Sequence, residues 1–264
     1  MPATKSIRPV LPRPLAYGAG SLALLGALWV LTTSGLGWVG PEVLPSPAAV
    51  FARFGSLIAT PFAGADLWGH ILASLERWSY GVLLAIVFGV PIGVFFAWAP
   101  WFRAVVNPLF ETLRYIPPFA WVPIAILWFG ASTTTQAMVV FIAAFPACVI
   151  NAQLGVQQVD GILVQAARVF GAGPARTLRR VVVPVATPSI FTGIRIAISN
   201  GWMALVGAEL VVGKTGLGFL IAQGQQNDSV STIFVGIISI GALGMLIDLL
   251  VQRSERRLMP WRQR

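Results

Sequence analysis

The chain has 264 residues, is 56% hydrophobic and only 10% charged, and has a mean hydropathy of +0.80. Soluble domains carry roughly 25% charged residues, so this composition excludes an ordinary soluble domain and points to an integral membrane protein. The net charge of +9 does not argue for nucleic acid: the basic residues sit between and beside apolar runs, where the positive-inside rule puts them.

Residues 1–14 read as a basic, proline-rich tail with Lys5, Arg8 and Arg13. The first apolar run, Leu15 to Leu36, is long enough to cross a hydrocarbon core, which needs roughly 20 residues. It lacks a small-residue cleavage site, so no cleavable signal peptide is expected. Ser46 and Pro47 open a short helix whose Val50, Phe51, Phe54, Leu57 and Ile58 form one apolar stripe, suited to the outer interface. His70, the single histidine, opens the next helix after Gly69 and reads as an interfacial residue. The second span runs from Ile71 to Trp98, with Glu76 and Arg77 near its start, and Gly89 and Gly93 permit a close helix contact.

Residues 104–129 contain Pro108, Pro117, Pro118 and Pro123, which prevent one clean helix. Broken backbone at membrane depth is tolerated where it is buried in protein or lines a cavity. A fourth span covers Gln136 to Leu154, a fifth Pro188 to Val211 and a sixth Ser231 to Gln252. Residues 253–264 close the chain as a second basic tail, so the division is tail 1–14, membrane domain 15–252 and tail 253–264. The fold class is all-α: a polytopic membrane protein of about six transmembrane helices.

The basic residues cluster in both tails, at Arg103 and in the loop 155–184, while residues 39–69, 130–135 and 212–230 carry little net charge. Both termini and the loop 155–184 are therefore expected in the cytoplasm. In that loop, residues 164–170 can form a short helix broken by Gly171, Gly173 and Pro174. Ala166, Ala167, Phe170 and Gly171 share a nearly bald face with one aromatic knob, by their i, i+3, i+4 spacing. Pro174 starts a second helix with Arg176, Arg179 and Arg180 on one side, and Pro184 is expected to stop it.

Chemistry of its own is not visible in the chain. The single cysteine, Cys148, excludes an internal disulfide and a cysteine-based metal site. Val212 to Gly216 has the Gly-Lys-Thr of a P-loop, but Ala208 stands where that loop needs its first glycine. Ionisable residues within spans default to functional candidates. Arg195, Asn200 and Glu209 on the fifth span, with Arg114 and Tyr115 beside the broken segment, are the candidate translocation pathway. Glu209 lies too far along the helix to pair with Arg195, whose partner must be on another helix or be a permeating anion. Glu76 with Arg77, Glu111 with Arg114, and Asp248 with Arg253 are alternative structural pairs.

The loop resembles the E-A-A-x3-G-x9-I-x-L-P element of ATP-binding-cassette importer permeases. Gln165, Ala166 and Ala167 are followed by three residues, Gly171, nine residues, Val181, Val183 and Pro184, with the spacing kept and Gln, Val and Val in place of Glu, Ile and Leu. Tyr115 to Pro123, Trp128 to Gly130, Thr192 to Arg195 with Gly201 and Trp202, and Ala208 to Leu210 with Gly216 to Gly218 resemble the nitrate, sulfonate and taurine branch. The resemblance implies a type I importer permease fold and an ATPase-coupling element at Gln165, Ala166, Ala167, Arg168, Phe170, Gly171 and Ala172. It implies a second copy of the chain, two cytoplasmic ATPase subunits, an extracytoplasmic solute-binding protein and the lipid of a bacterial inner membrane. ATP and Mg would be bound by the ATPase, with no cofactor, metal or catalytic residue in this chain and no nucleic-acid partner. The solute would be small and anionic, of the sulfonate or taurine, nitrate, bicarbonate or aromatic-acid class. The competing readings are an ATPase-independent channel or carrier, which leaves the loop element unexplained, and a membrane-embedded enzyme, for which no catalytic cluster is visible.

Overall fold

The computed structural model describes residues 13–258; most of the N-terminal tail, with Arg262 and Arg264, lies outside the described residues. The first span is α1 (Arg13–Val30), extended by a π turn at Leu31–Gly35. The interfacial helix is α2 (Pro47–Ala59), capped by Ser46, whose Oγ accepts from Ala49 N. Its expected stripe is divided: Val50 and Leu57 are buried, whereas Phe51 and Ile58 are exposed. Asp66 caps α3 (Leu67–Trp98), and α4 (Pro100–Leu113) follows after a one-residue break. The proline-rich region is broken as expected: a 3-10 turn at Pro118–Trp121 separates α4 from α5 (Val122–Phe129). Then come α6 (Thr133–Gln157), α7 (Gly161–Val169) and α8 (Pro174–Thr177).

Pro184 does not stop the second loop helix. A π turn at Leu178–Val182 joins α8 to α9 (Val183–Val212), so helix runs without a break from Pro174 to Val212. Pro184 has no N–H to donate and its ring crowds the preceding turn, and the wider π turn just before it makes room for the ring without ending the helix. The chain finishes with α10 (Leu217–Gln226) and α11 (Val230–Leu258), which carries Arg253, Arg256 and Arg257 on its last turns. The helix of the expected sixth span thus continues into residues 253–258, the first part of the expected tail.

Among the described residues, four helical runs are long and apolar enough to cross a membrane: Leu67–Trp98, Thr133–Gln157, Pro174–Val212 and Val230–Arg257. The other two expected spans are built from shorter pieces, Gly20–Gly35 in the first and Pro118–Phe129 in the third. The bundle centres on α6, which packs against both α3 and α9. Small residues allow it: a Cβ on Gly89 would meet Cys148 Cβ at 2.7 Å, and one on Gly155 would meet Ser189 Cβ at 2.8 Å. Without a hydrophobic drive between helices in lipid, such close backbone approach is a main source of association.

Candidate functional site

The loop between α6 and α9 is built outward from a packed root. Val164 and Leu178 join a core cluster with Val94, Ala152, Val156, Val182 and Ala186, which ties α7 and the following π turn to the bundle. Asp160 caps α7, its Oδ1 accepting from Ile162 N at 2.9 Å. The far end closes in a Schellman arrangement: Gly171 N donates to Arg168 O, and Ala172 N donates to Ala167 O, each at 2.9 Å. The arrangement needs a left-handed residue after the C-cap, and Gly171 supplies it at φ +77°. The glycine of the loop element is therefore a helix terminator, and it lies past α7 rather than on its face.

This changes which residues face outward. Ala167 is half-buried, and the exposed apolar face of α7 consists of Ile162, Leu163, Ala166, Val169 and Phe170. Val169 is 85% exposed and Phe170 89%. The face is apolar and aromatic rather than bald. Gln165, Arg168, Arg176, Arg179 and Arg180 of the same loop are also exposed and add polar and positive groups to it.

The expected pathway residues separate into three places. Arg195 is paired across to α11: Nε donates to Asp248 Oδ1 at 2.9 Å and Nη2 to Oδ2 at 3.1 Å. Its partner is on another helix, as the spacing required, and Asp248 takes Arg195 and Gln252 rather than Arg253.

Glu209 is fully buried and organises the turn from α9 into α10. It accepts from Ser74 Oγ at 2.8 Å, Arg77 Nη1 at 3.0 Å and Gly218 N at 2.9 Å. Arg77, paired with Glu209 rather than Glu76, also donates to Thr215 O and Thr215 Oγ1. Leu217 N donates to Ser74 Oγ. His70 is buried rather than interfacial, with Gly216 N donating to its Nδ1 at 3.0 Å and Nε2 lying 3.0 Å from Phe62 O. Gly216, at φ +115°, packs directly against the Glu209 carboxylate, which leaves no room for a side chain. The sequence reading missed Ser74, Thr215 and the role of His70. The ionisable pair in a span was visible, but which helix held each partner was not.

Arg114 and Asn200 come together at a third place. Both line a cavity of about 730 Å³ between α3, α4, α6, α9 and the broken segment. Arg114 donates from Nε to Glu111 Oε2 at 2.6 Å and from Nη2 to Tyr115 Oη at 2.9 Å. Tyr115 stands beside this cavity, mostly exposed, with Arg114 over its ring. The remaining wall is apolar, including Phe110, Phe119, Phe141 and Met203.

Long apolar helices around a largely apolar cavity, with a loop helix rooted on the bundle and exposing an apolar face, fit a helical membrane transport subunit. The chain belongs to the family of binding-protein-dependent transport system inner membrane components, whose model matches residues 89–260. It is 34% identical to the taurine transport system permease protein TauC of Escherichia coli (strain K12), over 95% of this chain and 91% of that one. It is likewise 34% identical to the nitrate import permease protein NrtB of Synechocystis sp. (strain ATCC 27184 / PCC 6803 / Kazusa), over 93% of this chain and 90% of that one. The fold matches a solved structure of the MetNI methionine ABC transporter in inward-facing conformations, with a TM-score of 0.59 and 18% identity over 72% of this chain and 93% of that one. The chain is thus a multi-pass permease subunit of an ABC importer and not itself an enzyme.

Proposed function

We propose that this permease moves a small anionic solute through the bundle, driven by an ATPase that docks on α7. The single observation that carries the docking is the exposed apolar face of α7, ending in Phe170 at 89% exposure on a helix fixed by caps at both ends. A rigid aromatic anchor ringed by polar groups is the pattern of an interface hot spot. Gln165, Ala166, Ala167, Arg168, Phe170, Gly171 and Ala172 form this element, with Ala167 and Gly171 shaping the helix and the others meeting the partner. ATP and magnesium belong to that partner, two copies of which would serve two copies of this chain, together with an extracytoplasmic binding protein. The basic residues of the α6–α9 loop and of the C-terminal end of α11 support a cytoplasmic position for both, within reach of the ATPase.

An anion is supported by the nitrate and bicarbonate named for two relatives and by the donors Arg114 and Asn200 at the cavity. Arg195 and Glu209 act as structural pairs in this reading, since each already holds a buried or bidentate partner. The test is copurification. Phe170→Asp should lose the ATPase while the permease still folds and reaches the membrane, because a carboxylate cannot be left unpaired in an apolar contact. Undiminished recovery of the ATPase with that variant would overturn the docking role.

A further inference from the structure

Helix α10 opens without a cap of its own. Gly216 stands at its N-cap and brings no side chain, so the first N–H groups of the helix need acceptors from elsewhere. Three arrive from neighbouring helices. Gly216 N donates to His70 Nδ1 at 3.0 Å, Leu217 N to Ser74 Oγ at 2.9 Å and Gly218 N to Glu209 Oε2 at 2.9 Å. His70 and Ser74 stand one turn apart on α3, and Glu209 is on α9. This borrowed cap fastens α10 to two of the long helices.

Both ring nitrogens of the buried His70 are assigned by their partners. A backbone N–H only donates, so Nδ1 presents its lone pair to Gly216. A carbonyl only accepts, so Nε2, 3.0 Å from Phe62 O, carries the hydrogen. The ring therefore fits only when neutral. A second proton has only Nδ1 to go to, where it would meet the Gly216 N–H, donor against donor. Gly216 has no room to turn aside, since at φ +115° it lies against the Glu209 carboxylate. No free carboxylate stands ready to offset a charged ring. On α3, Asp66 already accepts from Gly69 N, and Arg77 is itself positive. On α9, Glu209 already takes Ser74, Arg77 and Gly218. From α2 comes Arg53, over the Phe62 ring, and from the turn before α10 comes Lys214. Helix α10 carries no charged side chain.

We infer that His70 is a proton-operated latch: neutral, it fastens the start of α10 to α3, and protonated, it lets go. The closed form has no place for the second proton and the released ring has one, so acid favours release. By the orientation proposed above, α10 lies on the extracytoplasmic side and the proton arrives from outside; the latch itself does not depend on that orientation or on the ATPase. Hydrogen–deuterium exchange on the full-length permease in lipid nanodiscs, where both faces meet the buffer, tests it. Protection at residues 216–222, corrected for the intrinsic effect of pH on exchange, should fall about tenfold between about pH 7.5 and about pH 5.5, the range over which histidine side chains change charge. Residues 139–149 of α6 should keep theirs. His70→Asn retains an acceptor for Gly216 N but cannot be charged by a proton, and should hold the protection of 216–222 constant over the same range. Ser74→Ala removes an acceptor that does not titrate. It should lower the protection at both pH values and leave the acid-induced fall in place, which keeps the test open should His70→Asn fail to fold. No fall in the parent protein, an equal fall in α6, the same fall in His70→Asn, or its disappearance in Ser74→Ala overturns the inference.

Discussion

Gly171 and Phe170 are neighbours with different work. Gly171 ends α7 through a positive φ, and a Cβ there would meet nothing within 4 Å. Its requirement is conformational rather than steric. A residue with a β-branched side chain resists the left-handed region, at a cost of about 1–2 kcal/mol, whereas asparagine enters it readily. Gly171→Asn should keep ATPase copurification and Gly171→Val should lose much of it; equal loss in both would show that the absence of a side chain, not the turn, matters. Arg195 makes the opposite kind of contribution. Its bidentate pair with Asp248 joins α9 to α11, but both side chains are more than a third exposed, so the pair is worth only about 1 kcal/mol. Arg195→Asp should lower thermal stability in detergent slightly, and combining it with Asp248→Arg should restore it. Failure of the double exchange to recover any stability would separate the two residues.

At the scale of elements, the buried Glu209 group holds the start of α10 against α3. Truncating one partner of such a pair leaves an uncompensated charge, at a cost of about 3–5 kcal/mol. Arg77→Met should therefore lower thermal stability far more than Arg195→Asp does, and a smaller loss would mean that Glu209 is held by Ser74 and Gly218 alone. The sequence announced the long helices, because apolar runs over that length have few other outcomes. It also announced the break at Pro117 and Pro118. It misplaced the end at Pro184, since nothing local shows that a π turn can absorb the ring. The short loop helix was legible, but the face it presents was not: Ala167 is turned inward by Val164 and Leu178 packing on the bundle, a tertiary cause. Likewise, Arg114 and Asn200 were readable as polar residues near membrane depth, yet only folding brings them to one cavity, while it sends Arg195 and Glu209 elsewhere.

At the scale of the whole molecule, the proposed orientation rests on one distribution of charge. Cysteines introduced at Ala175 and at Gln225, both exposed, should label with impermeant reagents from opposite sides, Ala175→Cys from the cytoplasm only; the native Cys148 is buried and should stay silent. The reverse pattern would put α7 out of an ATPase's reach. The central claim, that this loop is where the energy source attaches, has a direct measurement. A photoreactive amino acid placed at Phe170 in the assembled transporter, irradiated in native membranes, should give an adduct with the ATP-binding subunit, and the same group at Lys214 should give none. No ATPase adduct from Phe170, or an equal yield from Lys214, would contradict the account.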